Sequence, residues 1–265
     1  MVAINEMARS HRMKQPKTID TYVVNLERSE KRRSEMSTKL DALNIPYEFF
    51  DAVDGRIENH PLFVRYSERS ALKHYGFELA PGELGCYASH FLLWQLCVEK
   101  DKPILILEDD IEFNFNFNSA YELAVQKIHE YGLLRLSGHK IRKYAICEQI
   151  GELKIVRFKR GPHGTSSYAL SPLAAKKLIS KAEVWYEPVD VHLDRFWSHG
   201  VESFGIQPFP VSHGATSEVD SEIWQGKRRG SRPKEFKKNT RFIRLNDSLW
   251  RFCVNIPYIG RWKHK

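Results

Sequence analysis

Three consecutive acids, Glu108, Asp109 and Asp110, follow an apolar run, residues 104–107, that begins directly after a proline. Such a run is typical of a buried central strand, and three carboxylates at its carboxyl end repel one another unless a cation is close. Ligands of open α/β sheets bind beyond the carboxyl ends of the strands. The pattern therefore predicts a divalent metal that holds a phosphorylated substrate, and the alternative is a solvated acidic turn.

The alternation of side chains along a strand separates the three acids. If strand geometry continues through them, Glu108 and Asp110 project to one side and Asp109 projects to the other. We expect Asp110 to be the principal metal ligand, and we expect the other two carboxylates to contact the bound substrate, for example a sugar hydroxyl.

Hydrophobic patterns predict the elements that would position this cluster. Helices are predicted over residues 29–43, 83–100, 120–130, 171–181 and 187–200, and strands over 21–26, 47–52, 104–107, 133–136, 153–158, 164–170 and 204–209. Residues 58–77 show no clear period, and no element is predicted there. The alternation of strands and helices predicts an α/β fold with a mostly parallel sheet flanked by helices.

Composition bounds the class of protein. The 265 residues, 42% of them hydrophobic, suffice for one large α/β domain. Residues 1–17 lack the apolar core of a secretory signal, and we predict that they form a flexible leader. No run of apolar residues approaches the length of a membrane span. We therefore expect a cytoplasmic protein. The four cysteines have no C-x-x-C spacing, which favours reduced thiols over disulfides or a zinc cluster.

The formal charge of +8 is concentrated at the C-terminal end of the chain. Residues 227–265 contain 13 Lys or Arg and two acids, mixed with aromatic and aliphatic residues. This mixture suits the anionic face of a bilayer or an anionic lipid-linked substrate. A solvated basic helix packed on the main domain and a nucleic-acid-binding segment are the alternatives. We divide the chain into a leader (1–17), a catalytic domain (18–226) and a basic aromatic extension (227–265), which we predict to be helical and to dock on membranes.

Six segments between residues 19 and 215 resemble glycosyltransferase family 25 in their order and separations. They are YVVNL (22–26) with Arg28, Arg32 and Arg33, IPYEFFDA (45–52), GCYASH (85–90) with Trp94, LEDD (107–110), GTSSY (164–168) and PVD (188–190). The segments are more similar to the lipooligosaccharide and lipopolysaccharide galactosyltransferases of Gram-negative bacteria than to the collagen-modifying branch. The resemblance implies a GT-A fold, related to the Rossmann fold, a UDP-sugar donor, usually UDP-galactose, and transfer with inversion at the anomeric carbon.

The resemblance and the residue chemistry together suggest roles for individual side chains. A departing diphosphate needs its charge neutralised, which Mn²⁺ or Mg²⁺ on Asp110 would provide, with His213 as a further ligand unless it is a surface histidine. An acceptor hydroxyl needs a base, for which Asp190 comes first and Asp194 second; Asp190 is alternatively a helix cap. The donor contacts would be Asn25, Arg28, Arg32, Ser89, His90, Glu108 and Asp109, and the acceptor contacts Thr165, Ser166 and Tyr168.

Some of these residues have simpler explanations. Ser89 and His90 lie within a helix among apolar neighbours, where a core histidine with satisfied hydrogen bonds is an equal alternative. Arg33 is expected to be a solvated charge. At the level of the whole protein, a metal-dependent phosphodiesterase or nuclease and a basic nucleic-acid-binding protein are the competing interpretations, but further metal ligands at other strand ends are scarce and the positive charge is confined to the tail.

We therefore predict a metal-dependent glycosyltransferase that acts at the inner face of a bacterial inner membrane. Its donor would be a UDP-sugar, its acceptor a lipid-linked oligosaccharide of the lipooligosaccharide or lipopolysaccharide type, and its tail would bind anionic lipid. We expect no nucleic-acid partner.

Overall fold

A computed structural model describes residues 18–57, 59–214 and 236–263 of the chain. The predicted leader and residues 215–235 lie outside these ranges. The strands are β1 (Asp20–Asn25), β2 (Glu48–Asp51), β3 (Ile104–Glu108), β4 (Ile111–Phe113), β5 (Leu133–Arg135), β6 (Tyr144–Ile150), β7 (Leu153–Phe158), β8 (Ser167–Leu170), β9 (Phe204–Gln207) and β10 (Val211–His213). The helices are α1 (Glu30–Leu43), α2 (Pro81–Lys100), α3 (Phe117–Tyr131), α4 (Pro172–Ser180), α5 (Val189–Leu193), α6 (Phe196–His199) and α7 (Phe236–Asn255).

Eight strands form one sheet in the order β2-β1-β3-β8-β5-β9-β7-β6. The pairings of β1 with β2 and β3, and of β5 with β9, are parallel, whereas β8 and β7 run opposite to their neighbours. All the other strands of this sheet therefore point the same way, and the predicted α/β fold with a mostly parallel sheet is confirmed. The reversal at β8 makes the sheet mixed, because this strand lies antiparallel between β3 and β5.

Strand β3 lies at the centre of the molecule and explains its uninterrupted apolar sequence. Leu105 and Leu107 face a core layer that α1 and α3 complete, whereas Ile104 and Ile106 face a second layer with α2 and α4. All four side chains are fully buried. A strand covered by helices on both faces has no solvent side, so its residues need not alternate in polarity.

The structure differs from the sequence-based assignment at several short elements. Strand β6 was not predicted, and it pairs with β7 through a hairpin that turns at Gly151. Strands β4 and β10 form a separate two-stranded ribbon. The helix expected over 187–200 is divided into α5 and α6, and short helical turns occupy Pro61–Arg65, Glu68–Ser70 and Ala71–Tyr75.

Two glycines bring α2 against the loop that follows β2. An added Cβ on Gly85 would lie 2.4 Å from the Val53 carbonyl oxygen, and one on Gly55 would lie 1.9 Å from the Pro81 carbonyl oxygen. The Val53 amide also donates to Ser89 Oγ at 2.9 Å. Because only residues without a side chain allow this approach, the two glycines define one wall of the site described next.

Candidate functional site

A cleft opens at the carboxyl ends of β1 and β3. It has two arginines at one side, an acidic floor, and part of the buried face of α2 at the back. Its charged and nucleophilic lining comprises Arg28, Arg32, Asp54, Arg56, Cys86, Ser89, His90, Glu108, Asp109 and Asp110. This is the position at which α/β sheets bind ligands.

Asp109 joins the ends of β1 and α1 to the end of β3. Its carboxylate accepts from Asn25 Nδ2 at 2.7 Å and from Arg32 at 3.2 Å. Burial raises the pKa of Asp109, and these two donors oppose that rise. The carboxylate therefore holds the Arg32 guanidinium at the rim of the cleft, while Arg28 is held by Asp54 at 2.7 Å. The pKa of Asp54 is lowered, because hydrogen bonds from Arg28 and the Arg56 amide outweigh burial.

Glu108 points away from Asp109, toward α2 and the segment before β8. Its Oε1 accepts from the Thr165 hydroxyl and lies 3.5 Å from His90 Nε2. Burial opposes ionisation, but the contacts with His90 and Thr165 hold the pKa of Glu108 at about 2. The carboxylate is therefore a fixed negative charge at the floor of the cleft.

His90 belongs to a buried chain of polar groups behind Glu108. Trp94 Nε1 donates to the Tyr168 hydroxyl at 2.9 Å, and that hydroxyl lies 2.8 Å from His90 Nδ1. Because the phenol oxygen already accepts from Trp94, we assign its proton to the bond with Nδ1 and the ring proton to Nε2, facing Glu108. His90 thus orients Glu108, and its own side chain is fully buried.

Asp110 is the acid whose surroundings fit a metal ligand. Its buried Oδ1 has no hydrogen-bond partner within the described ranges. Burial, with the charges of Glu108 and Asp109, raises the pKa of Asp110 to about 7. A carboxylate oxygen that is buried, unsatisfied and surrounded by like charge is what a bound cation would stabilise, so the residues present fit a divalent metal.

The ribbon of β4 and β10 brings His213 close to the backbone of the acidic turn. His213 is opposite Ile111 in this ribbon, and the Gly214 amide donates to the Asp110 carbonyl oxygen at 3.2 Å. The imidazole stacks on His139 at 3.9 Å between ring centroids and lies 3.4 to 3.5 Å from Ser166 Oγ. Its role as a metal ligand stays a prediction.

A further group of ligand-type atoms lies in the same cleft. One atom each of Cys86, His90 and Glu108 lie within 4.8 Å of one another. Cys86 and His90 are four residues apart on α2 and share a face. The C-x-x-C pattern does not include this spacing. All four cysteines are free thiols, as predicted.

The two candidate bases have different surroundings. The Asp190 carboxylate accepts from the Val191 amide at 2.8 Å and the Gly164 amide at 3.2 Å, and it lies 3.6 Å from His163 Nδ1. Burial opposes ionisation, yet His163 and the Gly164 amide keep the pKa of Asp190 below its usual range. Pro188, not Asp190, is the N-cap of α5, so the capping alternative is wrong.

Asp194 lies in an internal ion pair. It is 3.4 Å from Arg135, which is fully buried and also donates to the Gly164 carbonyl oxygen, and it accepts from the His163 amide at 2.9 Å. Removing this carboxylate would leave a buried guanidinium without its counter-charge. Asp194 therefore has a structural role as the counter-charge of Arg135, and its use as a base stays a prediction.

Other predicted contacts also have internal partners. Ser89 is fully buried, and its hydroxyl accepts from the Val53 amide and donates to the Gly85 carbonyl oxygen at 2.9 Å. Tyr168 is fully buried behind His90, and Thr165 donates to Glu108. These residues position the floor of the cleft and are not exposed to an acceptor. Ser166, also fully buried, lies beside His213.

Sequence reasoning missed the loop after β2. Asp54 and Arg56 line the cleft, and Asp54 fixes Arg28 by the ion pair described above. The Asp54-Gly55 dipeptide is typical of a turn, and a turn that follows a parallel strand lies at the ligand-binding edge of a sheet. Arg33, expected to be solvated, contacts Asp51 at 3.2 Å and the Phe49 ring.

Comparison with known proteins gives concordant matches. Residues 18–193 match the family model described as "Glycosyltransferase family 25 (LPS biosynthesis protein)". The mouse "Inactive glycosyltransferase 25 family member 3" is 26% identical over 247 residues, covering 78% of this chain and 40% of that protein. A glycosyltransferase 25 family member of Aedes aegypti is 36% identical over 193 residues, covering 69% of this chain and 32% of that protein. The chain thus spans less than half the length of these curated relatives.

Among solved structures, a glycosyltransferase involved in the glycosylation of the major capsid of PBCV-1 matches with a TM-score of 0.28 and 12% identity. The match covers 62% of this chain and 65% of that one. Within the described residues, none of the helices combines the length and the apolar character that crossing a membrane requires.

Proposed function

Because the chain belongs to glycosyltransferase family 25, we propose that it transfers a hexose from a UDP-sugar to an acceptor hydroxyl, with a divalent metal as cofactor. The observation that carries the proposal is the buried Asp110 Oδ1, which has no hydrogen-bond partner among the described residues and lies in a cleft rimmed by two arginines. An unsatisfied acid beside fixed cations suits a metal-bound diphosphate.

The arginines and the acids divide the work of binding the donor. Arg32, oriented by Asp109, and Arg28, oriented by Asp54, would face the diphosphate as a preorganised cationic rim. Asp110 would hold Mn²⁺ or Mg²⁺, with His213 as a second ligand, and the ion when bound would neutralise the charge that develops on the leaving diphosphate. Asn25, at the end of β1, fixes Asp109 and thereby the rim.

Asp190 is the proposed base. The acceptor oxygen bonds to the anomeric carbon, the bond from that carbon to the phosphate oxygen breaks, and the hydroxyl proton passes to the Asp190 carboxylate while UDP departs. Attack opposite the leaving group inverts the anomeric configuration. The lowered pKa of Asp190 keeps this carboxylate ionised and able to accept a proton at neutral pH.

We take the donor sugar to be galactose and the acceptor to be a lipid-linked oligosaccharide of the lipopolysaccharide type. The six segments that resemble the family support both choices, and the description of the matched family refers to lipopolysaccharide biosynthesis. Membership of the family makes the competing phosphodiesterase and nucleic-acid-binding interpretations less favoured. Some relatives carry the word "inactive" in their names, so turnover is the property to measure.

Calorimetric titration with UDP, in the presence and absence of Mn²⁺, tests the site. We expect tight binding only with the metal, and we expect Asp110→Ala to lose on the order of 100-fold in affinity or more, since loss of a group that only supports a metal ligand already costs about 10- to 100-fold. Glu122→Ala removes an exposed acid on α3 and is the matched control. UDP binding that is independent of metal, or that Asp110→Ala leaves unchanged, would contradict the proposal.

A further inference from the structure

Helix α7 exposes its apolar side chains to solvent. Five residues at spacings of three and four, which we call the outer stripe, are between 50% and 74% exposed. They are Phe242, Leu245, Leu249, Phe252 and Ile256, the last directly after the helix end. At 100° per residue these positions share one face of the helix. Trp250 and Ile259 add exposed apolar surface beside them.

The opposite face of α7 contacts the rest of the protein through the buried Phe236 and through polar groups. Thr240 Oγ1 donates to the Lys73 carbonyl oxygen at 2.8 Å, and Asp247 accepts from Arg195 at 2.8 Å and from Trp197 Nε1 at 3.2 Å. A helix of a globular protein ordinarily turns its apolar face inward and its polar face outward. In α7 apolar side chains lie on both faces: Ile243 and Val254 on the inner face are half-buried, whereas the outer stripe stays exposed.

The end of the helix is held firmly enough to keep the stripe outward. The Arg157 guanidinium is fully buried, lies 4.6 Å from the centroids of the Phe196 and Tyr258 rings, and donates to Asn255 at the end of α7. Rolling the helix to bury its apolar side would break these contacts and the Asp247 ion pair. The outer stripe is therefore an exposed apolar surface of the kind that binds an external partner.

Charge identifies the partner. Residues 236–263 contain seven Lys or Arg and a single acid, Asp247, whose carboxylate is already paired with Arg195. Arg241 and Arg244 are exposed beside the stripe. A second copy of this chain would oppose like charge with like charge, whereas an anionic lipid surface attracts the arginines and accepts the apolar side chains and Trp250 among its headgroups.

We propose that α7 docks the protein on an anionic bilayer, lying in the plane of the interface with the outer stripe inserted. The proposal does not depend on the transferase reaction, since it concerns a surface separate from the cleft. The helix would bind from one side, as interfacial amphipathic helices do.

Sedimentation of the whole chain with vesicles tests the proposal. We expect binding to phosphatidylcholine vesicles that contain phosphatidylglycerol and weak binding to pure phosphatidylcholine. Leu249→Glu, in the stripe, should weaken binding on the order of tenfold or more, since it removes apolar contact and adds repulsion. Ile141→Glu changes an apolar residue elsewhere that is even more exposed, 80% against 58% for Leu249, and should bind as wild type does.

Each outcome of the vesicle experiment either supports the docking of α7 or overturns it. Equal binding to both lipids, no binding to either, or equal losses in Leu249→Glu and Ile141→Glu would overturn the proposal. So would a concentration-dependent dimer, seen by sedimentation velocity, that Leu249→Glu dissolves while vesicle binding is absent. Metal-dependent UDP binding by Leu249→Glu shows that the variant is folded and separates this test from the test of the cleft.

Discussion

At the scale of single residues, Asp190 in α5 and Asp194 directly after it have different surroundings, so their proposed roles can be tested separately. Asp194 neutralises the fully buried Arg135, whereas Asp190 keeps about a quarter of its side chain exposed. We expect Asp194→Asn to lower the free energy of unfolding by about 3 kcal/mol or more, the cost of breaking a buried pair. Asp190→Asn should cost less stability and abolish sugar transfer.

Urea unfolding of the two variants, beside transfer assays with a UDP-sugar, checks this assignment. Equal loss of stability in both variants, or transfer that survives Asp190→Asn, would show that the roles are assigned wrongly. The sequence ranked Asp190 before Asp194, since Asp190 belongs to the PVD motif. It could not reveal the ion pair of Asp194, since Arg135 is far away in the chain and its burial depends on the fold.

Two buried histidines make stability depend on pH. His199 Nδ1 accepts from the Val201 amide at 3.1 Å and its Nε2 lies 3.0 Å from the His192 carbonyl oxygen, an arrangement for a neutral ring. Burial lowers the pKa of His192 to about 4 and that of His199 to about 3. Below pH 6.5 the unfolded chain gains protons that the folded chain does not, so stability falls as the pH falls.

The expected slope is about 1.4 kcal/mol per pH unit for each histidine near pH 5, where the unfolded imidazole is protonated and the folded one is not, added to the contributions of other groups. Urea unfolding at pH 7, 6 and 5 measures it. His199→Gln should be less stable at pH 7 and should show a smaller slope toward acid. A slope identical to that of the wild type would mean that His199 is protonated in the folded state.

At the scale of secondary-structure elements, the long periodic segments were predictable and the short ones were not. The local sequence predicts the burial of β3 on both faces and the apolar stripes of α2 and α3. Strands β4 and β10 have three residues each and exist because they pair with one another across the chain. The acidic cluster could be found from the sequence, but the partners that fix each acid could not.

The approach of α2 to the loop after β2 gives a prediction for Gly85. A methyl group there would meet backbone atoms of Val53 and Gly55 at 2.4 and 2.6 Å, which cannot move as a flexible side chain can. We expect Gly85→Ala to separate the helix from the loop, to cost about 1 to 3 kcal/mol of stability and to weaken UDP binding. Gln95→Ala, at an exposed position of the same helix, is the control.

Thermal or urea unfolding and UDP calorimetry on the two variants give the answer. If Gly85→Ala binds UDP with the affinity of the wild type, the wall of the cleft is not set by this contact. The position of the motif residue Gly85 follows from the sequence, but its reason is the packing of a helix against a distant loop.

At the scale of the whole molecule, the C-terminal segment is attached through a few dense contacts. Sequence composition predicted a basic extension with helical character, and α7 is its described part. Periodicity could not indicate which side of the helix contacts the body. That side is set by Thr240, Asp247 and Asn255, whose partners lie in three separate parts of the chain.

Arg157 is the residue that joins this segment to the main sheet. It lies on β7 within a cage of Phe196, Tyr258 and Trp262, and its Nε donates to Glu202 at 2.7 Å. In Arg157→Met the cation–π contacts are lost, and Glu202 and Asn255 lose the guanidinium that donates to them. We expect amide hydrogen exchange over residues 236–263 to accelerate at least tenfold, with exchange in α2 and α3 changed much less, because the helix then opens locally without unfolding the sheet. Arg251→Met, which removes a half-exposed guanidinium 5.1 Å from the Trp197 ring, should have a smaller effect.

Uniform acceleration across the whole protein would instead show that the cage supports the sheet itself, and that the C-terminal helix and the main sheet unfold as one unit.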